Sequence, residues 1–193
     1  MANVDKAFGL RPYKGLNVGS AVQQANKYSI DPSGYGTSIF QGDLCIFAGG
    51  YINRAAASSA NIVGVFSHCY YVNSSGEPTF SNYYPASTTA LGSGAIDVFI
   101  YDDPNQMFVV QADGASAVTC IGRNADTDGI GGSTTTGVST RELDSSTIAT
   151  TQGLQLKIVG VVQDDSNGDL TANNANLVVI INEHAYRGPV AGT

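Results

Sequence analysis

No stretch of this chain sustains an apolar period of 3.6 residues; short apolar runs instead end, one after another, at turn chemistry. Candidate strands fall at 28–30, 43–48, 61–66, 68–72, 96–101, 107–111, 116–121, 154–162 and 176–182. Asp31-Pro32-Ser33-Gly34, Asn73-Ser74-Ser75-Gly76, Asp102-Asp103-Pro104-Asn105 and Asp113-Gly114 supply reversals between them. Gly takes positive φ, Pro presets φ, and Asn or Asp bonds its own backbone. The strongest helix candidate is short, around 139–145. The chain therefore reads as mostly β, with one or two short helices at most.

Two hairpins are predicted. The first joins 96–101 to 107–111 through Asp102-Asp103-Pro104-Asn105-Gln106, and the second joins 154–162 to 177–181 through a polar loop. Their apolar stretches are nearly continuous, so both faces should be covered, as in a barrel or sandwich core. Residues 122–153 are rich in Gly, Ser and Thr. A structureless loop of that length is uncommon inside a domain. It is expected to be pinned, with Ile130, Val138, Leu143 and Ile148 as anchors.

Charged residues make up 13% of the chain, about half the usual share. Such a chain relies on backbone pairing and on hydroxyl and amide hydrogen bonds. Residues 1–27 carry Lys6, Arg11, Lys14 and Lys27 against Asp5, a balance of +3; with a net charge of −7, the remaining 166 residues sum to −10. The acidic total argues against a nucleic-acid partner, which needs clustered Lys and Arg. The first 27 residues, punctuated by Gly9, Pro12, Gly15 and Gly19, read as an extended basic arm, and 28–193 as a single β-rich domain with an insertion at about 122–153. Phe8, Leu10, Arg11, Pro12 and Tyr13 form the arm's dense cluster of contact residues.

Cys45, Cys69 and Cys120 are odd in number and widely spaced, which suits buried free thiols and a reducing compartment. The opening residues lack a signal peptide's apolar core, and no run approaches the length of a membrane helix, so cytoplasmic synthesis and no membrane partner are expected.

Motifs that carry chemistry are weak. His68 and His184 have no GxSxG elbow to serve, and no phosphate-binding glycine motif is present. Gly129-Ile130-Gly131-Gly132 lacks the helix and lysine of a phosphate cradle. In Asp164-Asp165-Ser166-Asn167-Gly168-Asp169 the acids alternate as calcium ligands do, but the glycine is displaced and Asn176 stands where a bidentate Glu would be. The loop reads as a hairpin turn. No catalytic, cofactor or metal residue is assigned, and no enzyme is expected.

Residues 42–66, GDLCIFAGGYINRAAASSANIVGVF, run through a Gly-Asp turn, an apolar strand, a reversal, a spacer of small residues and a second apolar strand. That order resembles the head decoration (cement) proteins of tailed phages. The opening Ala7-Phe8-Gly9-Leu10-Arg11-Pro12, the stretch from Tyr101-Asp102-Asp103-Pro104 to Val109, Gly122-Arg123-Asn124-Ala125-Asp126 and Ile181-Asn182-Glu183-His184 also look like structural proteins of phages of marine and aquatic bacteria. The resemblance implies a β-tulip or β-barrel-like core, assembly in the host cytoplasm and no cofactor. It further implies binding to the major capsid protein on the outside of the head, with self-association on the lattice. The five arm residues would then be the capsid-binding ones. The short decoration domains lack 122–153, and trimers are common among them, so this insertion leaves the oligomeric state open. The alternative is another virion component, a tail, collar or knob protein that binds carbohydrate through exposed tyrosines such as Tyr70-Tyr71 and Tyr83-Tyr84.

Overall fold

The computed structural model describes residues 3–16, 22, 24–162 and 166–187. The protein is mostly β: strand accounts for 43% of it and helix for 5%. The strands are β1 (Arg11–Gly15), β2 (Asn26–Ile30), β3 (Ile39–Phe40), β4 (Leu44–Ala48), β5 (Tyr51–Arg54), β6 (Ile62–Val72), β7 (Pro78–Ser81), β8 (Tyr83–Tyr84), β9 (Ile96–Tyr101), β10 (Gln106–Gln111), β11 (Asn124–Ala125), β12 (Thr127–Asp128), β13 (Glu142–Leu143), β14 (Leu156–Val161) and β15 (Asn176–Ile181). Helical structure among the described residues is confined to single 3-10 turns at Leu91–Ser93, Val118–Cys120 and Ser145–Thr147.

Two large antiparallel sheets dominate. One runs β1-β10-β15-β14-β11; the other runs β2-β9-β6-β4-β5, with β7 also paired to β6. The period-2 alternation of strands decides what lies between them. On β4, Leu44 points into one apolar core and Cys45 into another; on β6, Val65 and Phe66 divide in the same way. The first core fills the space between the sheets, where Phe108, Val110, Leu177 and Val179 meet Leu44 and Val65. The second lies on the far side of the β6 sheet, around Ile30, Ile52, Phe66 and Ile100. Among the described residues neither strand path returns to its start, and no ladder closes a barrel. The β6 sheet nevertheless curls until its end strands β2 and β5 touch.

Several expectations need correction. Runs 96–101 and 107–111 do form strands, but not with each other. β9 pairs β2 and β6, whereas β10 pairs β1 and β15. Ile100 belongs to the far core and Phe108 to the core between the sheets, so the Asp102-to-Asn105 turn hands the chain from one sheet to the other. At this handover Asn26 Nδ2 and Tyr28 Oη donate to the Asp102 carboxylate at 2.8 and 2.5 Å, tying the turn to β2. The run 116–121 is no strand. The N–H groups of Ser116 and Ala117 both donate to the Leu170 carbonyl, and the chain turns there with Ala117 at φ +56°. The helix around 139–145 is absent; that stretch holds β13 and enters the 3-10 turn at Ser145. The 154–162 and 176–182 runs pair as a hairpin, β14 with β15, from Leu156↔Ile181 to Val161↔Leu177.

The basic arm is also less free than its composition suggests. Residues 11–15 are the edge strand β1, with Arg11 opposite Val109 and Pro12 opposite Phe108. The break at residue 27 falls inside β2. Upstream, Lys6 N–H donates to Gln111 Oε1, and Asn3 Nδ2 donates to the carbonyls of Asp169 and Asn173. Of the 164–169 loop, Asp164 and Asp165 lie outside the described residues. Asn167 is buried and donates to the carbonyls of Val4 and Asn174.

Candidate docking surface

The seat of the arm begins at two glycines. Leu10 N–H donates to the Gly42 carbonyl at 2.9 Å, and Gly9 and Gly42 both hold positive φ, +69° and +95°. A Cβ on Gly9 would stand 2.9 Å from that carbonyl oxygen, so a side chain at this position cannot be accommodated. The close approach places Leu10 in the core between the sheets, 1% exposed. Leu10 is therefore an anchor to its own domain and is unavailable to a partner, contrary to its reading as a contact residue. Burying it contributes about 1.5–3 kcal/mol toward the entropy cost of ordering the arm.

The remaining four line two separate concavities. Phe8, Arg11 and Pro12, with the flank of Leu10, line a pocket of about 310 Å³ whose opposite wall is Gln41, Gly42, Phe66, Tyr101 and Val138. The Arg11 guanidinium sits 4.1 Å from the Phe8 ring centroid, a cation–π contact at the surface. Among the described residues no carboxylate pairs with Arg11. Tyr13, 44% exposed, turns to a different groove with Lys14 and Leu16.

The insertion forms part of this site, because Val138 is one wall of the pocket. What holds it is polar, and the apolar pattern did not reveal it. Arg141 is fully buried: Nη1 donates to Thr127 Oγ1 at 2.6 Å, Nη2 donates to the Ala55 carbonyl, and Nε lies 3.7 Å from Asp43 Oδ1. Ser139 Oγ donates to the same Asp43 oxygen, and the Phe40 N–H to its other one at 2.9 Å. Burial raises the Asp43 carboxyl above its ordinary range while Arg141 pulls it back. Gln41 and Ser139 exchange backbone bonds with the insertion and the β3–β4 turn, Gln41 N–H to Gly137 at 2.9 Å and Ser139 N–H to Gln41 at 3.0 Å. Of the expected anchors, Leu143 is buried and Ile148 packs against the core, while Ile130 and Val138 are half-buried.

The two histidines stand apart. His68 is held between the rings of Phe80 and Phe99, at 4.7 and 4.4 Å, and burial lowers its pKa. His184 is buried; its Nδ1 accepts the Tyr186 N–H, and burial, with Arg187 nearby, lowers its pKa to about 4. Of the tyrosine pairs, Tyr71 and Tyr84 are buried and Tyr83 stacks on Phe40, which leaves Tyr70 exposed beside Phe80. Among the described residues no group of three or more His, Cys, Asp or Glu could hold a metal ion, and no helix is long and apolar enough to cross a membrane. No protein-family model, curated protein or solved structure matches this chain.

Proposed function

We propose that this chain is a structural virion protein that binds the outer surface of a tailed-phage head and cements neighbouring major capsid protein subunits, after assembly in the host cytoplasm. The observation that carries the reading is the Phe8–Arg11 pair, held at the surface over a pocket once Leu10 has fixed the arm. A preorganised aromatic and an exposed guanidinium are among the groups that dominate protein interfaces. The arm's main chain contributes little. One edge of β1 is used on β10, and Pro12 interrupts the sequence of donors along the strand. Side chains therefore carry the docking, and contact with more than one capsid subunit multiplies it.

The test adds purified protein to heads that lack it and measures bound copies by co-sedimentation. Arg11→Glu and Phe8→Ala should each cut occupancy at least about tenfold, a loss on the order of 1.4 kcal/mol, with the melting temperature nearly unchanged. Full occupancy by both variants would sink the reading. A second reading, a tail, collar or knob protein that binds carbohydrate, is favoured by the exposed face of Phe80, 69% accessible, beside Tyr70 and His68. Retention of the protein on immobilised glycans, abolished by Phe80→Ala, would select it.

A further inference from the structure

The end of the insertion and the residues after it, 150–154, hang from two asparagine amides. Asn124 Nδ2 donates to the Thr151 carbonyl at 2.8 Å, and Asn182 Nδ2 donates to the carbonyls of Gln152 and Leu154 at 2.6 and 2.8 Å. Asn124 stands on β11 and Asn182 directly follows β15, with β14 between those two strands. Each amide turns its nitrogen to the loop, so its oxygen is the end left over. Asn124 is only 7% exposed, and its Oδ1 is buried with no hydrogen-bond partner. A buried acceptor in that state is costly unless a donor reaches it.

Both asparagines line one cleft of about 600 Å³, within the ~300–1,000 Å³ typical of small-molecule sites. Its charged groups are Lys157, across the ladder from Asn124, with Glu183, the residue after Asn182, and Arg187. Arg187 is held in place, because its Nη2 donates to the Pro104 carbonyl and to Asn105 Oδ1. Among the described residues no carboxylate pairs with Lys157 or Arg187, although Glu183 borders the same space. That set of groups selects among ligands. Two cations against one acid leave the cleft at +1, which suits a ligand with one negative charge. Sulfate would meet the cations but has no proton to offer Glu183 or the asparagine oxygens. A neutral polyol or a zwitterion leaves a cation unmatched. A ring with one carboxylate and several hydroxyls answers every group: its carboxylate accepts from Lys157 and Arg187, and its hydroxyls donate to Asn124 Oδ1, Asn182 Oδ1 and Glu183.

We propose that this cleft between the 150–154 loop and the segment after β15 binds an acidic sugar. It shares no residue with the arm's pocket or with the exposed face of Phe80, and it depends on neither reading of those surfaces.

Calorimetric titration of the full chain with glucuronate is the test. Saturation of one site with a Kd of about 1 mM or tighter is expected. Glucose, which lacks the carboxylate, and sulfate, which lacks the hydroxyls, should each bind at least about tenfold more weakly. Lys157→Gln and Arg187→Gln should each weaken glucuronate at least about tenfold, and Phe80→Ala should leave it unchanged. Arg187→Gln also releases the 102–105 turn, whereas the Lys157 side chain has no bond to lose among the described residues, so Lys157→Gln should melt like the parent. Glucuronate oligosaccharides that bind as well as the single sugar would support the site and name a polysaccharide as its source. Binding of the single sugar alone would support it and name a free sugar acid. Absence of saturation, equal binding of glucose or sulfate, or undiminished affinity in Lys157→Gln would overturn the inference. So would a loss of binding in Phe80→Ala, which would move sugar recognition to the other face.

Discussion

Ser139 Oγ lies 2.6 Å from Asp43 Oδ1 with both residues fully buried and 96 positions apart in the chain. The bond ties the insertion to the turn before β4, and Arg141 completes the tie from the same side. Removing one partner of a buried pair leaves the other charge unmatched, at a cost of about 3–5 kcal/mol. Arg141→Leu is therefore expected to lower unfolding free energy by that amount in urea titration. A loss below about 1 kcal/mol would show that the insertion is held by its apolar anchors instead.

Leu10→Ala should cost about 2–4 kcal/mol, because it empties a site in the core between the sheets. Tyr13→Ala, at an exposed position, should cost less than about 1 kcal/mol. Deleting residues 1–20 should accordingly lower the melting temperature. Equal melting temperatures for parent and deletion would mean that β1 contributes nothing to the domain.

The fold should weaken in mild acid through His184. Its pKa falls from an ordinary 6.5 to about 4 because the buried ring is kept neutral. The unfolded chain then binds the proton first. Stability is complete above about pH 6.5 and is lost as pH falls toward about 4, by roughly 3 kcal/mol. A His184→Gln variant should show a flatter dependence of melting temperature on pH across that window. Parallel curves for parent and variant would rule the imidazole out.

Cys45, Cys69 and Cys120 are buried and unbridged, and burial raises all three thiols, Cys69 to about 12. The thiolate is the reactive form. Alkylation at pH 8 should be negligible in the folded protein and complete in denaturant, with mass spectrometry counting the adducts. Rapid labelling of Cys69 in the folded state would contradict its burial.

The strand content and the β14–β15 hairpin were legible in the sequence because both follow from local alternation and turn residues. Partner choice was not. Ile96 to Tyr101 and Met107 to Gln111 have the same pattern whether they pair with each other or with distant strands. The choice rests on long-range contacts, among them Asp102's bonds to Asn26 and Tyr28 and the burial of Ile100 and Phe108 in separate cores. The insertion's hold on the domain was hidden for a related reason. Apolar periodicity marks Leu143, but a buried arginine such as Arg141 looks like a surface residue until Asp43 and Thr127 are found around it. At the docking surface, the five clustered arm residues were visible. Their division into Leu10 inward, Phe8 and Arg11 over the pocket and Tyr13 into the groove required the register of β1 on β10.

That the two sheets draw on the chain differently sets the order in which a growing chain can fold. Residues 26–101 contain all six strands of the β6 sheet, so it can assemble while synthesis continues. The other sheet needs β1 from the beginning and β15 at 176–181, with β10 seated between them. Until β15 emerges, β10 has one bare edge, and Phe108 and Val110 lack their cover from Val179 and Leu177. That interval is when the nascent protein is most prone to pair with the wrong strand.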